Sequence, residues 1–405
     1  MHILQINKFY HIVGGVDRYY LDLGKLLKKK GHKVAYFSMD HPRNQKTKWS
    51  KYFVSNASFN KPYLGQGFKL FLRMLYSREA RRQIAGLLDD FRPDIAHIHN
   101  IYHQISPSIL LELKKRKIPT VHTVGDYHLI SPHHNNLFHR DHICEVSKPH
   151  RYYKTVIHKC IKNSYLASLA EAVEQYFHYY LKIYIKNIDL FISPSKFMTG
   201  KLIEYGLPQE RIRTLPYFTD YLSSPMSKEE GKYILYFGRL SEEKGLRFLV
   251  DNVGKLPDIR LIIAGEGPLG FELKKTIAKN KYINIEIKEK FIPEIELKKL
   301  IQGCRFVVFP SQSYETFGIS LLEAYASGKP VLASRIGALP EIVKNNITGY
   351  LFESGNPDDF TKKLIKLWLS FNLRQNMGMS GRRLTELEFN PDIHYERLLN
   401  VFSQL

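Results

Sequence analysis

The sequence predicts an α/β protein made of two tandem doubly wound, mostly parallel sheets. Three observations predict it. Short apolar runs alternate with segments of helical period along the chain, which is the βαβα order of a parallel sheet. The pattern restarts after Pro216. And 405 residues exceed what one ordinary core holds, so two Rossmann-like domains of about two hundred residues each fit the length.

In chain order, "HILQI" is a first strand running into the Gly14–Gly15 turn, and "VDRYYLDLGKLLKKKG" repeats apolar positions at helical spacing and stops at Gly31, a good C-cap. "KVAYFSM", "DIAHIH", "PTVHTV" and "DLFIS" read as further strands, and "SPSILLELKKRK" as a helix with Pro107 suited to its first turn. "LPYFTDYLSSPMSKEEGK" is Pro-, Ser- and polar-rich and reads as the junction. Beyond it "YILYFG", "IRLIIAG", "FVVFPS", "PVLAS" and "GYLF" are strands, with "EIELKKLIQG" and "FGISLLEAYASG" helical between them, and "HYERLLNVFSQL" closes the chain as a helix. The expected domains are 1–217 and 218–385, with 386–405 a closing segment.

Composition narrows the function. Hydrophobic content of 44% with 24% charged residues is that of a globular protein, and no apolar run reaches the eighteen residues a membrane span needs. "MHILQINKFY" lacks the basic-then-apolar layout of a signal peptide, so a cytoplasmic location is expected. Three cysteines, Cys144, Cys160 and Cys304, do not make a disulfide framework. Residues 1–200 hold 31 Lys and Arg against 14 Asp and Glu, a balance of +17 of the chain's +21, and 16 of the 17 histidines lie before residue 179. That half suits an anionic surface or ligand, with plain solubility as the alternative. No nucleic-acid reader motif accompanies the basicity, so nucleic acid is not expected as a partner.

In an open α/β sheet, ligands bind beyond the carboxyl ends of the strands, and the polar motifs fall there. Gly14 and Gly15 precede a helix, where a bare backbone and a helix N-terminus favour a phosphate, although the G-x-G-x-x-G spacing is missing. Arg239 and Lys244 stand five apart after "YILYFG" and suit a shared anion, or are plain surface charges. "QSYETFG" is the polar exit of the strand "FVVFPS". It carries Glu315, then the amides of Phe317, Gly318 and Ile319 at a helix start, then Glu323 within an apolar run, able to accept from paired hydroxyls as carboxylates do with ribose. Glycoside hydrolysis needs carboxylates flanking the bond, whereas these come from one strand–helix connection.

With these pieces in view, "GRLSEEKG", "AGEGP" and "ETFGISLLEAYASGKPVLAS" resemble the retaining GT-B glycosyltransferases of the large family 4, the last fitting the E-x7-E motif. "VGGVDRYYLDLGKLLKKKGHKV", "DIAHIHNIYHQISPSIL" and "TVGDYHLISP" are similar to that family's N-terminal blocks. The resemblance implies two Rossmann-like domains facing across a cleft, with the C-terminal helix crossing back to the N-terminal domain. It implies that Arg239 and Lys244 hold the diphosphate of a UDP- or GDP-linked sugar and Glu323 the ribose. Glu315 with the Phe317, Gly318 and Ile319 amides would hold the transferred sugar, and Gly14 and Gly15 would close the phosphate side. Phe291 and Ile292 occupy the base-contacting position without the family's usual Gly. Asp126 remains from the family's T-x-H-D-Y pattern, but Gly125 replaces its histidine, with His122 a stand-in and a turn the plainer role for Asp126.

The implied activity is retaining transfer of a hexose to a glycan or lipid-linked acceptor in bacterial surface polysaccharide or lipopolysaccharide synthesis, with no cofactor and no metal, and with peripheral contact to the anionic inner membrane face. The other reading is a non-catalytic sugar-nucleotide or lipid-binding component. The His/Cys-rich segment 131–160 invites a zinc reading, but its spacing fits no tight metal template, and a basic, aromatic acceptor loop is the favoured reading with metal binding the other. "SLAEAVEQYFHYYLKIYIKN" is amphipathic and aromatic. Packing between helices is the favoured reading of its stripe, and a membrane interface the other.

Overall fold

The computed structural model describes residues 1–57, 66–133, 137–223, 226, 230–289 and 292–405. The chain divides into two compact units: Met1–His134 with Glu145–Leu215 and Tyr395–Leu405, and Asn135–Cys144 with Pro216–His394. The junction expected at 215–232 lies partly outside the described residues.

The first unit is built on six strands, β1 His2–Ile6, β2 Lys33–Phe37, β3 Ile95–Ile98, β4 Thr120–Thr123, β7 Leu190–Ser193 and β8 Ile212–Thr214, in the order β2-β1-β3-β4-β7-β8. All five pairings are parallel. Between β4 and β7 in the chain lies a two-stranded antiparallel hairpin, β5 Phe138–His139 and β6 His142–Ile143, which clusters with the second unit. The second unit's sheet comprises β9 Tyr233–Phe237, β10 Arg260–Ala264, β11 Ile285–Lys288, β12 Val307–Phe309, β13 Val331–Ser334 and β14 Gly349–Phe352, in the order β11-β10-β9-β12-β13-β14, again all parallel. Helices cover both faces of such sheets. Strands like β3 and β13 are therefore buried at every residue and are mostly apolar without alternating.

Local chemistry explains the helix boundaries. The Gly15–Lys29 helix carries Asp17 in its first turn and Lys28 and Lys29 in its last, as the helix dipole favours. It ends in a Schellman closure: Gly31 at φ 87° donates to Lys28, and His32 donates to Leu27, each at 3.0 Å. Pro107 lies one residue before its expected helix position, directly ahead of Ser108–Lys115. The closing helix, Pro391–Phe402, delivers the chain end to the first unit. There Phe402 packs edge-on to His97, Gln404 accepts from Arg213 at 2.7 Å and Tyr395 meets His32 at 2.8 Å.

One helix inverts the expectation of core packing. Tyr165–Tyr180 buries Ser168, Glu171, Ala172, Glu174, Gln175 and His178, and leaves Leu166, Leu169, Val173 and Tyr180 in solvent. No helix among the described residues is long and apolar enough to cross a membrane.

Candidate active site

In each sheet the strand order reverses beside the first strand, and the carboxyl ends there diverge to leave room for a ligand. In the second unit the reversal lies between β9 and β12. The loop after β9 carries Arg239 and Lys244, and the loop after β12 carries Glu315. The two loops are tied together. Lys244 Nζ donates to Glu315 Oε1 at 2.7 Å, Ser311 Oγ donates to the same oxygen at 2.6 Å, and the Gln312 amide donates to the Glu243 carbonyl at 3.0 Å. Both charged side chains are mostly buried, at 22% and 13% exposed, so water screens the pair only in part.

Two glycines permit this approach. Gly245, at φ 68°, sits where a Cβ would lie 1.9 Å from the Pro310 carbonyl oxygen. Gly337, at φ 57°, passes so close to the Glu315 backbone that a Cβ would lie 2.5 Å from its nitrogen, and the adjoining Ala338 amide donates to the Glu315 carbonyl at 2.9 Å. Larger residues at either position would separate the strand ends.

Arg239 stands exposed on the same loop and pairs with no carboxylate among the described residues. Its carbonyl accepts from the Tyr236 hydroxyl at 2.8 Å; burial first, and the Glu315 and Glu243 charges second, raise that phenol so that it stays a donor. Phe317 is buried against Tyr217 and Phe389. Gly318, at φ 110°, caps the Ile319–Ala326 helix, and the amides of Phe317, Gly318 and Ile319 take no acceptor among the described residues. Glu323 lies on that helix, 4% exposed. The second unit thus gathers Arg239, Lys244, Glu315, three unsatisfied amides and Glu323 on neighbouring elements, a set suited to an anion with a polyhydroxylated attachment. Phe291 lies outside the described residues; Ile292 is half-buried just ahead of the Glu294–Gly303 helix.

In the first unit the reversal lies between β1 and β3, and Gly14 and Gly15 open the helix after β1. Asp17, which sequence reading did not single out, shapes this turn. Its carboxylate accepts from the Gly14 amide at 3.0 Å, the Val13 amide at 3.3 Å and Asn7 Nδ2 at 2.9 Å. Asn7 Oδ1 in turn accepts from the Asn100 amide beyond β3. Burial raises the Asp17 carboxyl, against the pull of these donors. The signal was available: an acid three residues after an N-cap glycine, before an apolar helix.

Asp126 accepts from the His128 amide at 3.0 Å, closing a turn. His122 lies within β4, as its place in "PTVHTV" implies; it is 1% exposed, and burial pushes its imidazole down to about 4. A second polar cluster escaped sequence reading. His103 Nε2 donates to Glu171 and to Glu174, each at 3.1 Å, with His128 Nε2 3.7 Å from Glu174. Burial opposes charge on His103, yet the two carboxylates outweigh it and hold the imidazole up at about 10. Burial also opposes charge on Glu174, and the His103 and His128 imidazoles outweigh it, keeping Glu174 ionised well below its usual range. These four residues come from three separate segments, so no local motif announces them.

Two such doubly wound units, the second with basic and acidic strand-end loops converging, define a GT-B glycosyltransferase. The chain belongs to Glycosyltransferase Family 4, which matches residues 13–221, while residues 220–384 match Glycosyl transferases group 1. An uncharacterised glycosyltransferase of Methanocaldococcus jannaschii is 24% identical over 399 residues, covering 98% of this chain and 95% of the relative. An amylovoran biosynthesis glycosyltransferase, AmsK, of Erwinia amylovora is 26% identical over 56% of this chain and 58% of its own. Among solved structures, Anabaena HepE in complex with UDP and glucose superposes with a TM-score of 0.69 over 100% of this chain and 99% of the other, at 15% identity.

Proposed function

We propose that this glycosyltransferase is a retaining, metal-independent hexosyltransferase, moving a sugar from a UDP- or GDP-linked donor to a glycan or lipid-linked acceptor in cell-surface polysaccharide or lipopolysaccharide synthesis. The observation that carries the reading is the Lys244–Glu315 pair beside exposed Arg239 and the three open amides. Breaking the bond from the sugar C1 to the diphosphate leaves a dianionic group, which preorganised cations and amides stabilise without reorganisation. Lys244 and Arg239 supply the cations, and the sequence lacks the D-x-D triplet that commonly holds a metal.

In this reading Glu323 grips the ribose, and Glu315 both aims Lys244 and meets the sugar hydroxyls. Phe291 and Ile292 line the base, and Gly14 and Gly15 cover the phosphates. The acceptor oxygen then forms its bond to C1 on the face the diphosphate leaves, and its proton passes to the departing phosphate oxygen. Asp126, held in its turn, positions the donor sugar. The AmsK and HepE relatives support the polysaccharide context and the UDP-linked donor, respectively. The basic first 200 residues support peripheral contact with an anionic membrane face from the cytoplasm.

A thermal-shift screen of UDP-, GDP- and ADP-sugars, followed by mass spectrometry of donor hydrolysis, tests this. Stabilisation by one sugar nucleotide and slow hydrolysis lost in Lys244→Ala are expected. Binding without any turnover would instead establish a non-catalytic binding component.

A further inference from the structure

We propose that the outward face of the Tyr165–Tyr180 helix is the element that inserts into an anionic lipid surface. This deepens the membrane part of the reading above and rests on it.

A helix on a globular domain ordinarily turns its apolar stripe inward. Here Glu171, Glu174 and His178 face in, and Leu166, Leu169, Val173, Phe177 and Tyr180 face out, following a 3-4-4-3 spacing along one side for about 21 Å. Leu166 is 80% and Tyr180 73% exposed. Of the 25 large apolar or aromatic side chains exposed among the described residues, ten lie between Tyr153 and Leu181. The neighbouring Gln66–Leu75 helix, which packs against this one, adds Phe68 and Leu72. Contiguous exposure on this scale marks a surface that another phase or molecule covers.

Charge selects the occupant. Between residues 151 and 187 the only carboxylates are Glu171 and Glu174, both buried. Every charged group there that reaches solvent is basic: Arg151, Lys154, Lys159, Lys162, Lys182 and Lys186, with Lys159 Nζ 4.3 Å from the centre of the Tyr165 ring. A second copy of this chain would set the same cations against one another across a twofold interface. Anionic headgroups neutralise them, while the leucines enter the acyl boundary and the tyrosines sit at headgroup level. The inward polar face explains how the helix tolerates this. Glu171 and Glu174 are anchored by His103, so ion pairing holds the helix to the domain with Ala172 its one buried apolar side chain.

The test is vesicle co-sedimentation of the full chain with phosphatidylglycerol-containing and with pure phosphatidylcholine vesicles, at low and high salt. The wild type should pellet with the anionic vesicles. Leu166→Glu with Leu169→Glu, both at exposed positions, should lower partitioning at least roughly tenfold with the thermal unfolding curve little moved. Lys154→Gln, Lys159→Gln and Lys162→Gln together should flatten the salt dependence. Wild type that ignores anionic vesicles would sink the membrane reading itself. Wild type that pellets equally with the double glutamate variant would overturn the assignment to this helix while leaving peripheral contact in place. A variant that changed the oligomeric state and not vesicle binding would place a second copy on this face, and would likewise overturn it.

Discussion

Lys244 and Glu315, 71 positions apart, share a 2.7 Å hydrogen-bonded ion pair across the strand-order reversal of the second sheet. Each holds the other's position, so neither acts alone in the proposed chemistry. Lys244→Ala and Glu315→Ala are each expected to lower kcat by about 10²–10³-fold, the range for removing one preorganised charge-stabilising group. The double variant should fall less than the product of the two, because the partner left behind has already lost its function. Single-turnover donor hydrolysis measures this; strictly multiplicative losses would show that the residues work independently.

Gly245 is a packing demand of the same site. Alanine there places a methyl group inside the Pro310 carbonyl contact and in a left-handed backbone conformation, at a cost of about 2–4 kcal/mol. Because the glycine immediately follows Lys244, activity should fall further than stability. Thermal unfolding and turnover, compared on the same preparation, separate the two.

Asp17 holds the turn before the first helix through three donors. Asp17→Asn turns one acceptor into a donor facing an amide, and is expected to destabilise by about 1–3 kcal/mol. Donor affinity should weaken as the Gly14–Gly15 turn loosens, which isothermal titration with the sugar nucleotide would register.

The His103–Glu174 contact gives a pH signature. His103 has a folded-state value raised to about 10, so its contribution is complete below the ordinary imidazole value near 6.5 and is lost as pH rises through 10. Glu174 is depressed, so its contribution is complete above about 4.5 and is lost on acidification. Glu174→Gln leaves one partner of a buried pair, and should cost about 3–5 kcal/mol. The gap between wild type and variant should be widest between about pH 4.5 and 6.5 and shrink towards pH 10. Denaturant melts at pH 5.5, 8 and 10 would show it, and a gap that stayed constant would remove His103 from the account.

Strand positions and the helix that carries Glu323 were legible because each is local. β14 coincides with "GYLF", the Glu294–Gly303 helix with "EIELKKLIQG", and Ile319 begins its helix where the apolar period begins. His122 was not legible as a core residue, since a histidine inside an apolar strand looks the same as one at its mouth. The His103–Glu171–Glu174 cluster joins segments up to 71 residues apart, and a single sequence carries no record of that encounter. The Tyr165–Tyr180 stripe was legible as amphipathic, but period alone does not say which face points in.

The sequence by itself determined the two parallel sheets, the family and the strand-end loops that carry Arg239, Lys244 and Glu315, because backbone period, turn chemistry and motif spacing are encoded over a few residues. Tertiary structure alone decided that Lys244 is paired with Glu315, that Asp17 shapes the glycine turn, and that one helix faces its apolar side outward. Those outcomes depend on which strand ends lie side by side, and on buried carboxylates that require distant partners once water is removed.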